Sequence, residues 1–212
     1  MRSYRPQKGL GRVFCIKVKK LCNANITRQV GPWMMLLIII AVGVVACAPG
    51  GPAIPEEGNM TLSLSSPAFQ EGENIPVEYT CDGQDMSPPL MWYEPPIGTQ
   101  SFALIMDDLD APGGVFTHWT VFNIPADSRE LQEAVPAESQ LSSGALQGKN
   151  DFGRTGYGGP CPPPGYSHQY QVTLYALDQL LDLKMSASKN EVLNAMQGHI
   201  LGQGRLTATY QR

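Results

Sequence analysis

The chain has 212 residues, 42% of them hydrophobic and 16% charged, and a formal net charge of −4. Eight of its 15 basic residues precede Cys47 and no acidic residue does, so the chain after Cys47 sets seven cations against 19 acids, about −12. A surface that acidic excludes nucleic acid as a partner and excludes flat electrostatic adsorption to anionic lipid.

Residues 1–46 carry Arg2, Arg5, Lys8, Arg12, Lys17, Lys19, Lys20 and Arg28, and an apolar run follows from Trp33 to Cys47. Basic residues, an apolar stretch and a small residue before a cleavage point are the layout of an export signal. The run ends Val44-Val45-Ala46-Cys47, which resembles the lipobox of bacterial lipoproteins. In a lipobox the cysteine is lipidated on sulfur and becomes the new N-terminus, so Cys47 is the expected lipidation site. The alternative is an uncleaved N-terminal transmembrane anchor, although the run falls short of the roughly 20 residues that span a bilayer. Either way the remainder is expected on the extracytoplasmic face of the cell membrane. Residues 47–59, with the Pro- and Gly-rich stretch APGGPAIPEEGN, are expected to be a flexible tether. Residues 60–212 have the length of one ordinary domain.

Within that domain most segments predict strands: Thr61–Leu64, Ile75–Tyr79, Phe102–Met106, Thr117–Ile124, Tyr170–Leu177 and Arg205–Tyr210. Phe102–Met106 is a continuous apolar run suited to a buried central strand, and the others alternate with period two. Pro- and Gly-dense joins separate them, at 87–89, 94–98, 111–114 and 156–165. Many strands with irregular joins predict a mainly β fold, a sandwich of antiparallel sheets. One helix is predicted after Ser188-Lys189-Asn190-Glu191, a capping box, with Gly198 at the position that would end it.

Two cysteines, Cys81 and Cys161, remain after the signal. In an exported domain they pair or stand as two thiols beside a pocket, and their spacing is not that of a zinc ribbon.

Three stretches gather polar residues beside turn formers. Asp107-Asp108-Leu109-Asp110-Ala111-Pro112 follows the buried strand, either as pocket acids or as a turn capping its own backbone. In His118-Trp119-Thr120-Val121-Phe122-Asn123, regular alternation puts His118, Thr120 and Phe122 on one face and Trp119, Val121 and Asn123 on the other. His118 by itself is more often a hydrogen-bonded structural residue. Gly158-Gly159-Pro160-Cys161-Pro162-Pro163-Pro164-Gly165 is a fixed loop whose glycines permit close approach to a ligand and whose N–H groups suit an anion. His168 and Tyr170 then share a face at the start of the next strand.

Together, DxDAP, HW with an Asn four residues beyond, and GGPCPPPG-x-x-H-x-Y resemble the two signature regions of phosphatidylethanolamine-binding proteins. The bacterial and archaeal, Raf-kinase-inhibitor-like branch is most similar, through YTCDGQDMSPPL (79–90), NDFGRTGYGG (150–159) and GHILGQGRLTATY (198–210). The resemblance implies a Greek-key sandwich of two antiparallel sheets with few short helices, and a small anion-binding pocket at one end. It implies Asp108 and Asp110 as pocket acids, His118 and His168 as pocket histidines, Tyr170 as the nearby phenol, Pro112 in the first motif, and Gly159, Pro160, Cys161 and Pro162 over the ligand. It brings Cys81 and Cys161 near each other at that end. Leu109 stands where the family often has proline, and Gln169 where it often has arginine. The C-terminal helix and kinase partners of eukaryotic members are not carried over.

The expected function is a membrane-tethered binding module for a phosphate-type anion or phospholipid head group, with no cofactor, no metal and no catalytic residue. The alternative is an inhibitor or regulator of a partner protein such as a protease or kinase. A metal site drawn from Asp108, Asp110, His118 and His168, or a Cys161–His168 nucleophile and base, ranks behind both. Cys161 lies between prolines with no basic neighbour in sequence to activate it.

Overall fold

The computed structural model describes residues 61–212. The expected signal, Cys47 and the tether lie outside the described residues.

Eight strands form two antiparallel sheets: β1 (Ser63–Ser65), β2 (Leu90–Tyr93), β3 (Ser101–Asp108), β4 (Phe116–Pro125), β5 (Glu130–Leu131), β6 (Leu146–Gln147), β7 (Ser167–Leu177) and β8 (Ile200–Gln211). The smaller sheet has the order β1-β2-β5 and the larger β6-β4-β3-β7-β8. The chain leaves the β3–β4 hairpin for the other sheet at β5 and returns through β6 outside β4. It then runs through a long connection to lay β7 on the opposite side of β3. That connection, residues 148–166, carries the Pro- and Gly-rich loop.

The central strand β3 is apolar on both faces because both are covered. Phe102, Leu104 and Met106 join Trp92, Trp119 and Leu174 in the main core between the sheets. Ala103 and Ile105 join Phe122, Tyr175, Val192 and Met196 in a second cluster under the helix α1 (Lys189–Ala195). Alternation along a strand then dictates where its polar end points. Asp108 continues the main-core face, and Asp107 continues the helix face, where Lys189 Nζ meets its Oδ2 at 2.7 Å.

The predicted capping box is present, with Glu191 N–H bound to Ser188 Oγ and Ser188 N–H to Glu191 Oε2. The helix ends sooner than expected, capped by Met196. Gly198, at φ 77°, instead supports the turn into β8. The predicted strand Ile75–Tyr79 is a 3-10 turn over Val77–Tyr79. Pro76 has no N–H to give a ladder, and the Thr80 N–H and hydroxyl fold back onto the Val77 carbonyl at 3.0 and 2.8 Å. Only Ile75 N–H reaches β8, at Thr209 O. Strand β2, four residues between the joins at 87–89 and 94–98, is not among the strands expected from the sequence, and β5 and β6 are too short for any periodicity. Among the described residues no helix is long and apolar enough to cross a membrane.

Candidate functional site

Strands β3, β4 and β7 finish together at one end of the larger sheet. Asp108 pairs there in register with Phe116 and Tyr170. His168, two residues before Tyr170 on β7, projects to the same side. His118 reaches that side only because β4 carries an extra residue. Met106 pairs with Trp119 but Asp107 with Thr117, so His118 sits in a bulge. A bulge re-aims a side chain, and His118 leaves the face of Thr120 and Phe122 that regular alternation predicts. A second irregularity, between Phe102 and Leu104, similarly takes Asn123 away from Trp119 and Val121, at φ 55°. Its amide oxygen accepts from Leu181 N–H and its NH2 donates to Leu181 O.

The result is a cavity of about 250 Å3 lined by Asp108, Pro112, His118, Cys161, Pro162 and His168, closed by Phe116, Phe152, Ala111 and Pro163. His118 and His168 are both buried, 2% and 5% exposed, and so is Asp108 at 4%. Each imidazole is fixed through Nδ1. His118 Nδ1–H donates to Gly158 O at 2.6 Å, and His168 Nδ1–H to Asp108 Oδ2 at 2.8 Å. Neither Nε2 atom has a hydrogen-bond partner among the described residues. Phe116, Phe152 and Tyr170 meet the His118 ring edge-on at 5.2–5.3 Å. Burial in this aromatic box pushes the His118 pKa below its ordinary value, outweighing the Gly158 carbonyl and the Asp108 charge, which act upward. A neighbouring carboxylate favours a charged histidine and burial opposes it; for His118 desolvation wins.

Asp108 combines both readings of its motif. Its Oδ2 orients His168, while Oδ1 accepts from Asp110 N–H at 2.9 Å, a local turn. Asp110 itself is exposed, with Oδ2 accepting from Gln169 N–H at 2.8 Å, and it does not line the cavity. Tyr170 lies behind the wall. Its hydroxyl is buried without a hydrogen bond of good geometry, and burial, then the Asp108 charge, raise its phenol pKa.

The loop holds the site differently from expectation. Gly158 N–H donates to His118 O at 3.0 Å and Gly159 N–H to Asp85 Oδ1 at 2.6 Å, and Pro160, Pro162, Pro163 and Pro164 have no N–H. Cys161 therefore carries the one remaining amide between 158 and 164, and it acts on the Tyr170 hydroxyl, so the loop has too few for an anion-binding nest. The glycines serve chain packing rather than ligand approach. A Cβ on Gly159 would lie 2.6 Å from Tyr79 O, and one on Gly158 2.7 Å from the Phe152 ring. Cys161 forms a disulfide with Cys81, Cα atoms 5.4 Å apart. Cys81 N–H also donates to Pro160 O at 3.1 Å. The sequence leaves the pairing open; the fold closes it by bringing residues 79–85 beneath the loop. Of the wall residues, Ala111 lies inside DxDAP, Pro163 inside GGPCPPPG and Phe152 inside NDFGRTGYGG, and Phe116 alone falls in no motif.

The family model for phosphatidylethanolamine-binding protein matches residues 65–211. The chain belongs to the phosphatidylethanolamine-binding protein family. A UPF0098 protein of Methanothermobacter thermautotrophicus is 52% identical over 151 residues, 71% of this chain and 99% of that protein. A Mycobacterium tuberculosis relative named "Putative lipoprotein LppC" is 34% identical over 194 residues, 83% of this chain and 92% of that protein. Among solved structures, Escherichia coli YbcL, described as a member of the mammalian phosphatidylethanolamine-binding protein family, superposes with a TM-score of 0.67 at 33% identity. The match covers 72% of this chain and 99% of YbcL. A Chlamydia trachomatis homologue gives 0.66 at 36% identity, covering 72% of this chain and 98% of that one. The two antiparallel sheets, the single helix among the described residues and the paired signature motifs are those of a phosphatidylethanolamine-binding protein fold.

Proposed function

We propose that this protein binds a small phosphate-type anion, free or as a phospholipid head group, in the cavity of Asp108, His118 and His168, and that it acts by binding rather than by catalysis. The observation that carries this is the pair of buried imidazoles in one cavity, each fixed through Nδ1 and each with an uncommitted Nε2. Nδ1–H is engaged in both rings, so a neutral ring offers only a lone pair at Nε2, whereas a protonated ring offers a donor. Anion binding therefore draws a proton onto His118 and strengthens as pH falls. A thiol nucleophile is disfavoured by the Cys81–Cys161 bond. Tethering through a lipidated Cys47 is part of the proposal, supported by the lipobox-like sequence and by the name of the mycobacterial relative.

The test is calorimetric titration of the chain after Cys47, residues 48–212, which contains both hydrophobic clusters of the described residues, with inorganic phosphate and phosphoethanolamine between about pH 5.5 and 8.5. Buffers of different ionisation enthalpy report proton uptake. Loss of one charge-assisted hydrogen bond, about 1.5–3 kcal/mol, should weaken binding about tenfold or more in His118→Ala and His168→Ala. Equal affinity in the parent and both variants sinks the site assignment. Affinity flat with pH sinks the protonation step.

A second reading, an inhibitor or regulator of a partner protein, is favoured by one feature. Leu109, Phe152 and Tyr166, which are 37%, 43% and 68% exposed, stand on the loops that line the cavity. A pull-down from envelope extracts that loses its captured protein when Phe152 and Tyr166 are replaced by serine would support it.

A further inference from the structure

A larger cavity, about 660 Å3, lies away from the anion site beside β5. The two are served by opposite ends of β4: Phe116 lines one and Ile124 the other, roughly 20 Å apart, because they pair with Asp108 and Phe102 of β3, six residues apart, at about 3.3 Å per residue. Its lining divides by chemistry. Ile124, Leu131, Val135 and Leu141 are apolar and Glu130, Glu133 and Glu138 are acidic, while no Lys or Arg takes part. A smaller hollow of about 380 Å3, lined otherwise by Pro67, Pro89, Leu90 and Met91 on the β2 side, shares Glu130, Leu131, Gln132 and Glu133. The segment 130–133 is thus a ridge with a hollow on each side. It is also the end strand of its sheet, with β2 on one side and no strand on the other. An end strand presents backbone N–H and C=O groups to any extended chain laid beside it.

The charges of the groove are uncompensated. Glu130 and Glu138 make no ion pair among the described residues, and Glu133 accepts the Tyr79 hydroxyl at 3.2 Å. Arg129, next along the chain, directs its guanidinium to the carbonyls of Ala126 and Ser128 at 2.9 and 2.7 Å. Arg154, Lys189 and Arg212 are paired with acids in other parts of the domain.

We propose that this groove docks an extended cationic segment of a partner protein, in which basic and apolar residues alternate, added alongside β5. An extended chain sends successive side chains to opposite sides. Alternation therefore delivers the basic set to Glu130, Glu133 and Glu138 and the apolar set to the floor, while its backbone pairs with the edge. The proposal is independent of the anion site and uses none of its residues.

The probe is a fluorescently labelled synthetic peptide of about eight residues alternating lysine and valine, with its glutamate–valine counterpart as control. Anisotropy is read on Ala48–Arg212 at about 50 and 300 mM salt. Binding of the cationic peptide alone, weaker at high salt, is expected. Glu130→Gln/Glu138→Gln, which spares the Tyr79 partner Glu133, should weaken it about fivefold or more. Ser142→Trp, at an exposed groove position, fills the space without altering charge and should weaken it comparably. Asp178→Asn/Asp182→Asn removes the same charge elsewhere and should leave affinity within about twofold. Thermal unfolding checks that each variant is folded. The proposal is overturned if the parent does not bind, if the control pair weakens binding as much as the groove pair, or if folded Ser142→Trp binds like the parent.

Discussion

Replacing Cys81 and Cys161 together by serine removes a cross-link between residues 80 apart in sequence. A bond across that separation denies the unfolded chain about 15 cal/mol/K of conformational entropy, roughly 4.5 kcal/mol at 25 °C. That is a large share of the 5–15 kcal/mol by which such domains are stable. For a domain of this size it corresponds to a melting temperature about 9–18 °C lower. The folded state loses less, because residues 79–85 and the loop stay joined by Cys81 N–H to Pro160 O, Gly159 N–H to Asp85 Oδ1 and Tyr157 hydroxyl to Tyr79 O. The double variant should therefore fold, with lower stability and a looser wall at Pro162 and Pro163. Urea unfolding of Ala48–Arg212 measures the difference, and each single serine variant should lose about as much as the double. The parent should resist alkylation until reduced and then take up two groups. A stability loss below about 1 kcal/mol, or a parent that alkylates without reductant, would refute the reasoning.

Gly159→Ala forces a Cβ against Tyr79 O, Asp85 Oδ1 and Thr80 Cα at 2.6–2.8 Å, of which two are backbone atoms. Overpacking of that kind should cost about 1–3 kcal/mol in a denaturant titration. Asp108→Ala leaves the His168 Nδ1–H and the Asp110 N–H without their acceptor, and should cost about 1–3 kcal/mol in the same assay. His118 has a folded-state pKa below the ordinary 6.5, so between the two values the unfolded chain binds more protons. Its contribution is complete above about pH 6.5 and is lost as pH falls toward the folded pKa, with a slope of at most about 1.4 kcal/mol per pH unit. His118→Gln should flatten that part of the stability–pH curve; an unchanged curve would contradict the assignment. Ser188→Ala removes the acceptor for Glu191 N–H and should cost about 1 kcal/mol in thermal unfolding.

Local chemistry determined much by itself. The capping box of α1 was legible because Ser188 and Glu191 act on backbone only three residues away. The central strand β3 was legible because a sheet covered on both faces demands an unbroken apolar run. The residues that meet at the site were legible as motifs, with Asp108, His118, Cys161, Pro162 and His168 all lining one cavity. What each of them does was settled at long range. The bulge that turns His118 into the cavity depends on its register with β3, and register is a property of two strands together. Gly158 and Gly159 read as ligand-facing in the sequence, and only the packing of Phe152 against the first and of residues 79–85 beneath the second makes them chain-facing. The same packing brings Cys81 to Cys161, and no spacing along the chain encodes that meeting. The direction of the His118 shift also waited on tertiary structure, because desolvation is the sum of neighbours drawn from three loops and strands, and only their assembled positions set its size.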